Sequence, residues 1–273
     1  MKYHTHANIP YYQFDHFSTK SSIRHYIATR HGGVSTGEFS SLNISLGTAD
    51  DRENILENRQ RIAQLMQIEP QQLVFPSQTH DATIQVVTQT KINQGTIWLN
   101  EQLRCTDALI TNEKGICLSV ISADCVPLLF FDPVQQAIGA VHAGWRGTVK
   151  KIAQKAVQKM QETFSSKPED LLIGIGPSIG PERYEVGPEV IEAVITAFGT
   201  KKGLVSQETK EGKGLLNLWE ANKLQLLNAG VASKHIELAG LCTLTHSDIF
   251  FSARSMRGKG GRFASGIILE TKH

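Results

Sequence analysis

The chain has 273 residues, and its 28 lysines and arginines against 26 aspartates and glutamates give a formal net charge of +2. Apolar residues make up 40% of it, which is enough for a sizeable core and excludes disorder as the main state. A net charge this small gives no case for broad binding to nucleic acid or to a membrane surface. The most apolar window, 115–131, is interrupted by two serines and an aspartate and is too short for a membrane span.

The amino-terminal segment is polar and lacks the apolar stretch of a secretory signal. The four cysteines form no CxxC pair, and four in a chain of this length are no disulfide framework. We therefore expect a cytoplasmic protein with reduced thiols. Since no repeat or linker divides the sequence, we expect one domain over residues 1–273, loose over about the first 20 residues.

The predicted elements of the first half are mostly strands. A strand at 24–29 is followed by a glycine-rich loop that continues to residue 47. The spacing of Asp50 and Glu53 fits a capping box, which predicts a helix from Asp50 onward. Further strands are predicted at 73–75, 82–88, 116–123, 126–132 and 137–143.

The second half alternates between helices and strands. Thr148 can cap an amphipathic helix, Pro188 can open one over 189–198, and Gly230 can close one over 218–229. Because neighbouring hairpins are mixed with helices, the pattern predicts an α+β sandwich rather than a doubly wound parallel sheet. The strands of this half are predicted at 171–175, 236–241, 249–252 and 264–269.

The hairpin at the centre of the sequence can bring a cysteine and a histidine together. An Asp-Pro pair at 132–133 is typical of a turn between its two strands. If Asp132 lies opposite Gln135, then Cys125 lies opposite His142 on the same face, with Cβ atoms about 4.5–5.5 Å apart. A three- or five-residue loop would shift the pairing by one position and separate the two side chains.

A facing cysteine and histidine support two kinds of chemistry. His142 can deprotonate the thiol of Cys125 and so create a nucleophile for acyl transfer. Alternatively, both residues can bind zinc or another thiophilic metal. The pair is also compatible with an inert core cysteine beside a hydrogen-bonded histidine, and the hairpin alone leaves all three interpretations open.

The composition of the segment after the hairpin is typical of an anion-binding site. Gly144 and Gly147 flank Trp145 and Arg146, just before the predicted helix. Glycines allow a ligand to approach the backbone, and a helix N-terminus beside an arginine attracts negative charge. The segment therefore predicts a phosphate or carboxylate pocket near Cys125, although ordinary strand-to-helix turns have a similar composition.

Other polar residues are weaker candidates. Arg30 lies in the glycine-rich loop, and such loops often carry function. His80 could complete a metal site, although one histidine among ten is more often structural. Asp124 should point to the face opposite Cys125 if the strand is regular. Three arginines near the end of the chain receive no assigned role, although the first could bind an anion: Arg254, Arg257 and Arg262.

No Walker A, HExxH or GxSxG motif is present, and no GxGxxG follows a strand. The motifs that are present together resemble the YfiH-like family, long labelled polyphenol oxidase or laccase-domain proteins and later described as multifunctional purine nucleoside phosphorylases. HAGWRG is the most specific of them. In chain order they are TRHGGVS (29–35), SLN (41–43), QTH (78–80), ADCVP (123–127), HAGWRG (142–147), IGPSIG (175–180), YEVG (184–187) and FFS (250–252).

The resemblance implies a single-domain, layered α/β/β/α sandwich with mixed, largely antiparallel sheets, a YfiH-like fold shared with a deamidating toxin domain. It also implies a zinc site, with copper as the other possible metal, at His80, Cys125 and His142. The implied pocket for substrate and phosphate contains Arg30, Asn43, Asp124 and Arg146, with Arg30 also in a catalytic role. The family often has a second arginine after the FFSxR pattern, whereas Ser255 stands here.

The activity implied by the resemblance is phosphorolysis of purine nucleosides. Adenosine, inosine, guanosine and methylthioadenosine would react with phosphate to give the base and a ribose 1-phosphate. Deamination of adenosine to inosine is implied as a second activity. The expected partners are therefore small molecules, without nucleic acid or membrane, and the expected state is a monomer.

Three alternatives stay open. Cys125 and His142 could form a cysteine hydrolase or amidase that needs no metal. A copper-dependent polyphenol oxidase is the second alternative, although multicopper oxidases need many histidine ligands and the chain has a single HxH pattern, at 4–6. The third is a role in cell-wall precursor editing, which has been proposed for relatives.

Overall fold

The computed structural model describes residues 1–90 and 103–271, and most of its strands belong to two six-stranded sheets. In chain order the strands are β1 (Lys2–His6), β2 (Ile9–Gln13), β3 (Ile23–Ala28), β4 (Leu73–Val74), β5 (Ile84–Val86), β6 (Ala108–Thr111), β7 (Cys117–Ser122), β8 (Val126–Asp132), β9 (Ala137–Ala143), β10 (Leu172–Ile175), β11 (Glu185–Val186), β12 (Val205–Ser206), β13 (Gly214–Leu216), β14 (Ile236–Leu238) and β15 (Phe263–Leu269).

The α-helices of the described residues are short. In chain order they are α1 (Asp15–Ser18), α2 (Arg52–Leu65), α3 (Trp145–Val149), α4 (Ile152–Phe164), α5 (Pro188–Phe198) and α6 (Leu218–Asn228). None of the helices within 1–90 and 103–271 is long and apolar enough to cross a membrane.

The two large sheets are mixed and largely antiparallel, as expected. The first has the order β1-β2-β3-β15-β7-β4, and the second has the order β14-β10-β8-β9-β6-β5. Parallel pairing occurs only towards the sheet edges of the described residues, at β4 with β7, β5 with β6 and β10 with β14. A small third sheet has the order β11-β13-β12.

Three apolar layers hold the sheets and helices together. In β8, Leu129 and Phe131 pack between the two sheets, whereas Leu128 and Phe130 face α4 and α6. On the outer side of the first sheet, α2 packs against β3 and β15. This alternation follows from the period of two in a strand that is buried on both faces. The order α/β/β/α is therefore confirmed.

The β8–β9 hairpin differs from the predicted register. Asp132 pairs with Ala137 rather than Gln135, because its carboxylate accepts hydrogen bonds from the N–H groups of Val134 (2.8 Å) and Gln135 (2.9 Å) and stabilises a four-residue loop. Pro127, not Cys125, consequently lies opposite His142. The shift is two positions along one strand, which preserves the face of every side chain.

The predicted starts of helices α2 and α4 were less accurate than the predicted positions of most strands. The cap of α2 is Asp51, whose carboxylate accepts from the N–H of Glu53, and not the predicted Asp50. Thr148 lies inside α3, and α4 begins after Lys151 in a left-handed conformation. Residues 249–252 follow a turn and form no strand. The first 13 residues, expected to be loose, form a hairpin at the edge of the first sheet.

Candidate active site

A histidine–cysteine–histidine cluster lies at one end of the second sheet, where β9 ends and where β5, β6 and β8 begin. His80 precedes β5, Cys125 precedes β8, and His142 belongs to β9. Their possible ligand atoms all lie within 4.8 Å of one another. His80 is exposed, Cys125 is half-buried and His142 is buried. The structure thus brings together the three residues that the sequence predicted as metal ligands.

The backbone turns sharply at two positions of this site. His80 has φ 62°, and Asp124, directly before Cys125, has φ 88°. Positive φ is uncommon for residues other than glycine and tends to occur at functional sites. Because of this turn, Asp124 does not continue a regular strand, and it lines the same cavity as Cys125 instead of pointing to the opposite face.

Gly144 leaves room for the cluster. In the observed register it extends the line of β9 past His142, beside Cys125. A Cβ atom at this position would lie 3.0 Å from Cys125 Sγ and 3.1 Å from His80 Cδ2. Contacts this short require a neighbour to move. The first glycine of the HAGWRG motif is therefore explained by space, since its own φ of −70° is open to any residue.

Asp107 connects two of the cluster's segments, and the sequence did not identify it. Its buried carboxylate accepts a hydrogen bond from His142 Nδ1 at 2.9 Å. It also accepts from the backbone N–H groups of Thr79 (3.0 Å), His80 (2.9 Å) and Asp81 (2.9 Å). One carboxylate thereby fixes both the His142 ring and the loop of His80. A bond of this kind orients a metal-ligating or catalytic histidine.

The charges of the cluster stabilise one another. Burial alone would raise the pKa of the Cys125 thiol, but the positive charge of His142 lowers it below its usual value. Burial alone would lower the pKa of His142, and the charges of Cys125 and Asp107 raise it instead. Burial also works against ionisation of Asp107, whose pKa is nevertheless lowered by the bond from His142. Such a thiolate can ligate a metal or act as a nucleophile.

A cavity of about 670 Å³ opens onto the cluster. Besides His80, Cys125 and His142, its walls include Asp124 and the ring of Tyr184. The carboxylate of Asp124 accepts from the hydroxyl of Thr243 (2.7 Å) and from the backbone N–H of Arg254 (2.6 Å). The wall also includes three cationic residues from a single loop: Arg254, Arg257 and Arg262.

Arg30 and Arg146 do not line this cavity. The Arg30 guanidinium donates to the carbonyl oxygens of Ser40 (3.0 Å) and Ser247 (2.7 Å) and lies over the ring of Phe251. Arg146 is exposed, with its guanidinium carbon 4.4 Å from the centre of the Trp145 ring. The sequence-based roles of both arginines stay predictions.

Asn43 lies behind the cavity wall. It is buried, and its side-chain oxygen accepts from the backbone N–H groups of Ser45 (3.2 Å) and Arg262 (3.0 Å), both of which line the cavity. Its side-chain nitrogen donates to Thr48 and Asp50, at 2.9 Å each. Asn43 therefore positions two lining residues.

Sequence reasoning missed the functional placement of several residues. Asp107 follows a threonine at the start of a short strand and belongs to no recognisable motif. Arg257 and Arg262 gave a signal, because they alternate with glycines in an unassigned loop. That signal could not place them near Cys125, more than a hundred residues earlier in the chain.

Fold and site together define a class of protein. It is a single-domain α+β sandwich whose cavity contains one candidate mononuclear metal centre with three protein donors, the pattern of catalytic rather than structural zinc sites. The chain belongs to the family described as "Multi-copper polyphenol oxidoreductase laccase", whose model matches residues 24–270.

Similar proteins with enzyme names indicate which reactions occur in this family. The chain is 39% identical over 256 residues to "Purine nucleoside phosphorylase" of Bacteroides thetaiotaomicron, covering 94% of this chain and 95% of the relative. It is 30% identical over 258 residues to "Adenosine deaminase RL5" of an unknown prokaryotic organism, covering 93% and 97%.

A solved structure of a relative has the same fold. The crystal structure of YlmD from Geobacillus stearothermophilus matches with a TM-score of 0.91 at 35% identity, covering 98% of this chain and 99% of that chain. The relatives are named as enzymes, and this chain is an enzyme of their family. The resemblance and the fold class predicted from the sequence are confirmed.

Proposed function

We propose that this chain is a zinc-dependent purine nucleoside phosphorylase that also deaminates adenosine. Adenosine, inosine, guanosine or methylthioadenosine would react with phosphate to give the base and a ribose 1-phosphate. The observation that carries the proposal is the His80–Cys125–His142 cluster at the wall of a 670 Å³ cavity. It is supported by relatives whose names cover both reactions.

The donor set fits zinc. One sulfur and two nitrogens within 4.8 Å match the ligands that zinc prefers, and the exposed His80 faces a cavity that can admit a fourth ligand. His142 uses Nδ1 for Asp107, which leaves Nε2 as its ligating nitrogen. His80, Cys125 and His142 would hold the ion. Bound zinc would supply Lewis acidity at this wall.

The family description names copper, but the ligands favour a single ion. Multicopper oxidases need several clusters of histidine ligands. Within residues 1–90 and 103–271, His80, Cys125 and His142 are the one group of three or more that could hold a metal. Metal analysis of protein expressed with equal zinc and copper tests this choice, and copper at full occupancy would contradict zinc.

The chain's contribution to phosphorolysis is to hold and orient two substrates. A phosphate oxygen forms a bond to C1′ of the ribose while the bond from C1′ to the purine nitrogen breaks. The purine leaves with the bonding electron pair. Fixing both reactants in one cavity removes most of the entropic barrier, and cationic groups stabilise the phosphate. Among the residues predicted to bind substrate, Asp124 lines the cavity and Asn43 positions its wall.

Deamination needs a water molecule instead of phosphate to react with adenosine at the same wall. An oxygen from water forms a bond to purine C6, the bond from C6 to the amino nitrogen breaks, and ammonia leaves. Asp107 keeps His142 in one orientation, which holds the cluster in place during the reaction.

Product analysis of zinc-loaded protein with adenosine tests the proposal. We expect adenine only when phosphate is present, and inosine whether or not phosphate is present. Cys125→Ala should lose bound zinc and both products together. Cys105→Ala is the matched control, because Cys105 is exposed and does not line the cavity. Full activity in Cys125→Ala, or no purine product from protein with stoichiometric zinc, would contradict the proposal.

A metal-independent cysteine hydrolase is the second candidate. The observation in its favour is the order Asp107, His142, Cys125, which matches an orienting acid, a base and a nucleophile. Chelation separates the two candidates. A phosphorylase should lose adenine formation and regain it with zinc, whereas a cysteine hydrolase should cleave amide or ester substrates only after zinc is removed from the thiolate.

A further inference from the structure

We propose that Arg257 and Arg254 form the phosphate subsite of the cavity, and that Arg262 positions the loop that carries them. This inference rests on the proposed function, because it assigns one of that reaction's two substrates to a particular part of the wall. The loop extends from Ala253 to Arg262 and enters β15. All three of its arginines line the same cavity as the cysteine–histidine cluster.

Arg257 supplies the free cation. It is exposed at the cavity, and within the part of the chain that the structure describes its guanidinium makes no hydrogen bond or ion pair. A guanidinium has five N–H donors in a planar fork, which matches the oxygens of a phosphate. All of them are available to a ligand here.

Arg254 is held in place while part of its fork stays open. One terminal nitrogen donates to the carbonyl oxygen of Glu185 at 3.1 Å, and the guanidinium carbon lies 5.3 Å from the centre of the Tyr184 ring. Its backbone N–H donates to Asp124 at 2.6 Å, which ties the arginine to the residue beside Cys125. An arginine restrained in this way loses little side-chain entropy when it binds an anion.

Arg262 acts on the loop rather than on a ligand. Its terminal nitrogens donate to the carbonyl oxygens of Gly258 (3.2 Å), Gly260 (2.6 Å) and Gly261 (2.9 Å). The loop also packs closely on its neighbour Phe251, since a Cβ atom on Gly261 would lie 2.6 Å from the Phe251 ring. These contacts fix the path of the backbone that presents Arg257.

The balance of charge in the cavity also favours an anion. Among the described residues that line it, Asp124 is the one carboxylate, and both of its oxygens already accept hydrogen bonds. Three guanidinium groups therefore face a single carboxylate that already has partners. Phosphate can supply the negative charge that would balance these guanidinium groups, whereas a purine nucleoside is uncharged at neutral pH. Arg30 and Arg146, the other arginines that the sequence favoured, are not among the residues that line the cavity.

Kinetics at varied phosphate and saturating adenosine tests the subsite. In Arg257→Gln we expect the KM for phosphate to rise about tenfold or more, as for the loss of a charge-assisted hydrogen bond, with little change in the KM for adenosine. Arg254→Gln should act in the same direction. Lys259→Gln is the matched control, since Lys259 is an exposed cation of the same loop that does not line the cavity. A wild-type KM for phosphate in folded Arg257→Gln would overturn the subsite.

Calorimetric titration with inorganic phosphate alone separates this inference from the proposed function. If wild-type protein binds phosphate and Arg257→Gln binds it at least about tenfold more weakly, the subsite is supported even if no adenine is formed. If adenine is formed and both proteins bind phosphate equally, the subsite is overturned while the phosphorylase stands. If Arg30→Gln or Arg146→Gln weakens phosphate binding while Arg257→Gln does not, phosphate binds at the arginines predicted from the sequence and the subsite is overturned.

Discussion

The carboxylate of Asp107 organises the candidate metal centre at the scale of single residues. It holds the His142 ring on one side and three successive N–H groups of the His80 segment on the other. Such an arrangement lets one buried charge set the geometry of two ligands that are 62 residues apart in sequence. The centre is therefore preorganised by a residue that would not itself touch the metal.

Asp107→Asn should weaken zinc binding about 10–100-fold. The amide can offer one oxygen where the carboxylate offers two, and its N–H₂ group would meet backbone donors. A competition titration against a chromophoric chelator measures the change. Asp81→Asn is the control, because Asp81 belongs to the same segment and its half-exposed carboxylate bonds Lys150 instead. Equal zinc affinity in Asp107→Asn and the wild type would show that Asp107 does not position the ligands.

The sequence predicted more of the cysteine–histidine pair than of its surroundings. In an antiparallel hairpin the numbers of opposed residues have a constant sum, so a predicted turn is enough to pair Cys125 with His142. The predicted register is wrong by two positions, and a shift of two keeps both side chains on the same face of the sheet. The contacts of Asp107 follow no such rule, because they join a loop, the start of β6 and the end of β9. Their positions depend on how the whole sheet is assembled.

At the scale of elements, strand positions were predictable and turns were not. The bounds of β8 and β9 agree with the apolar runs of the sequence, since both strands are buried on both faces. The loop between them is set by the two hydrogen bonds that Asp132 accepts, which composition does not reveal. The start of α4 was misplaced for a similar reason, because α3 intervenes as a separate short helix.

His25 makes the stability of β3 dependent on pH. Its ring is buried beside the rings of Phe14 and Phe17, and its Nε2 accepts a hydrogen bond from the N–H of Phe14 at 2.7 Å. Burial lowers the pKa of His25 to about 3, against about 6.5 for an exposed histidine. Between about pH 3 and pH 6.5, His25 is therefore protonated in the unfolded state and neutral in the folded state.

We expect the His25 contribution to be complete above about pH 6.5 and to be lost as the pH falls towards 3. In that window it lowers the free energy of unfolding by up to about 1.4 kcal/mol per pH unit. Urea unfolding between pH 7 and pH 4 measures it. His25→Gln keeps an acceptor without a titrating group and should show a shallower slope than wild type. His6→Gln, at an exposed histidine, is the control. Identical slopes in His25→Gln and wild type would refute this account.

At the scale of the whole molecule, the layers could be predicted from the sequence and the composition of the cavity could not. Alternation and helical spacing predict which faces are buried, and these determine an α/β/β/α order. The cavity gathers residues from Ser45 to Arg262, so its walls exist only once both sheets have formed. The sequence motifs were enough to identify the family and the three candidate metal ligands. The position of the arginine-containing loop in the cavity wall became known only from the structure.

Zinc should stabilise the whole fold, because its ligands come from separate segments and meet only in the folded state. At a free zinc concentration of a hundred times Kd the gain is about 2.7 kcal/mol. In a protein of this size that corresponds to a rise in Tm of about 5–10 °C.

Scanning calorimetry with zinc and with a chelator measures the shift. Cys125→Ala should show little of it. A thiol-free reductant should leave Tm unchanged, because all four cysteines are free. The same Tm with zinc and with chelator would mean that the ion does not bind the cluster tightly, and a fall with reductant alone would point to a disulfide.

The two functional walls of the cavity come from unrelated parts of the chain. The ligands belong to the second sheet and the segment before it, whereas the arginines belong to a surface loop that leads into the first sheet. The hydrogen bond from the Arg254 N–H to Asp124 joins the loop to the segment of Cys125, so substitutions in the loop that keep this bond can change the cationic wall with little effect on the cluster. We expect that exchanging residues 253–262 between members of the family would change which anion the cavity accepts while the candidate metal centre is kept, and such exchanges would allow substrates to diversify within one fold.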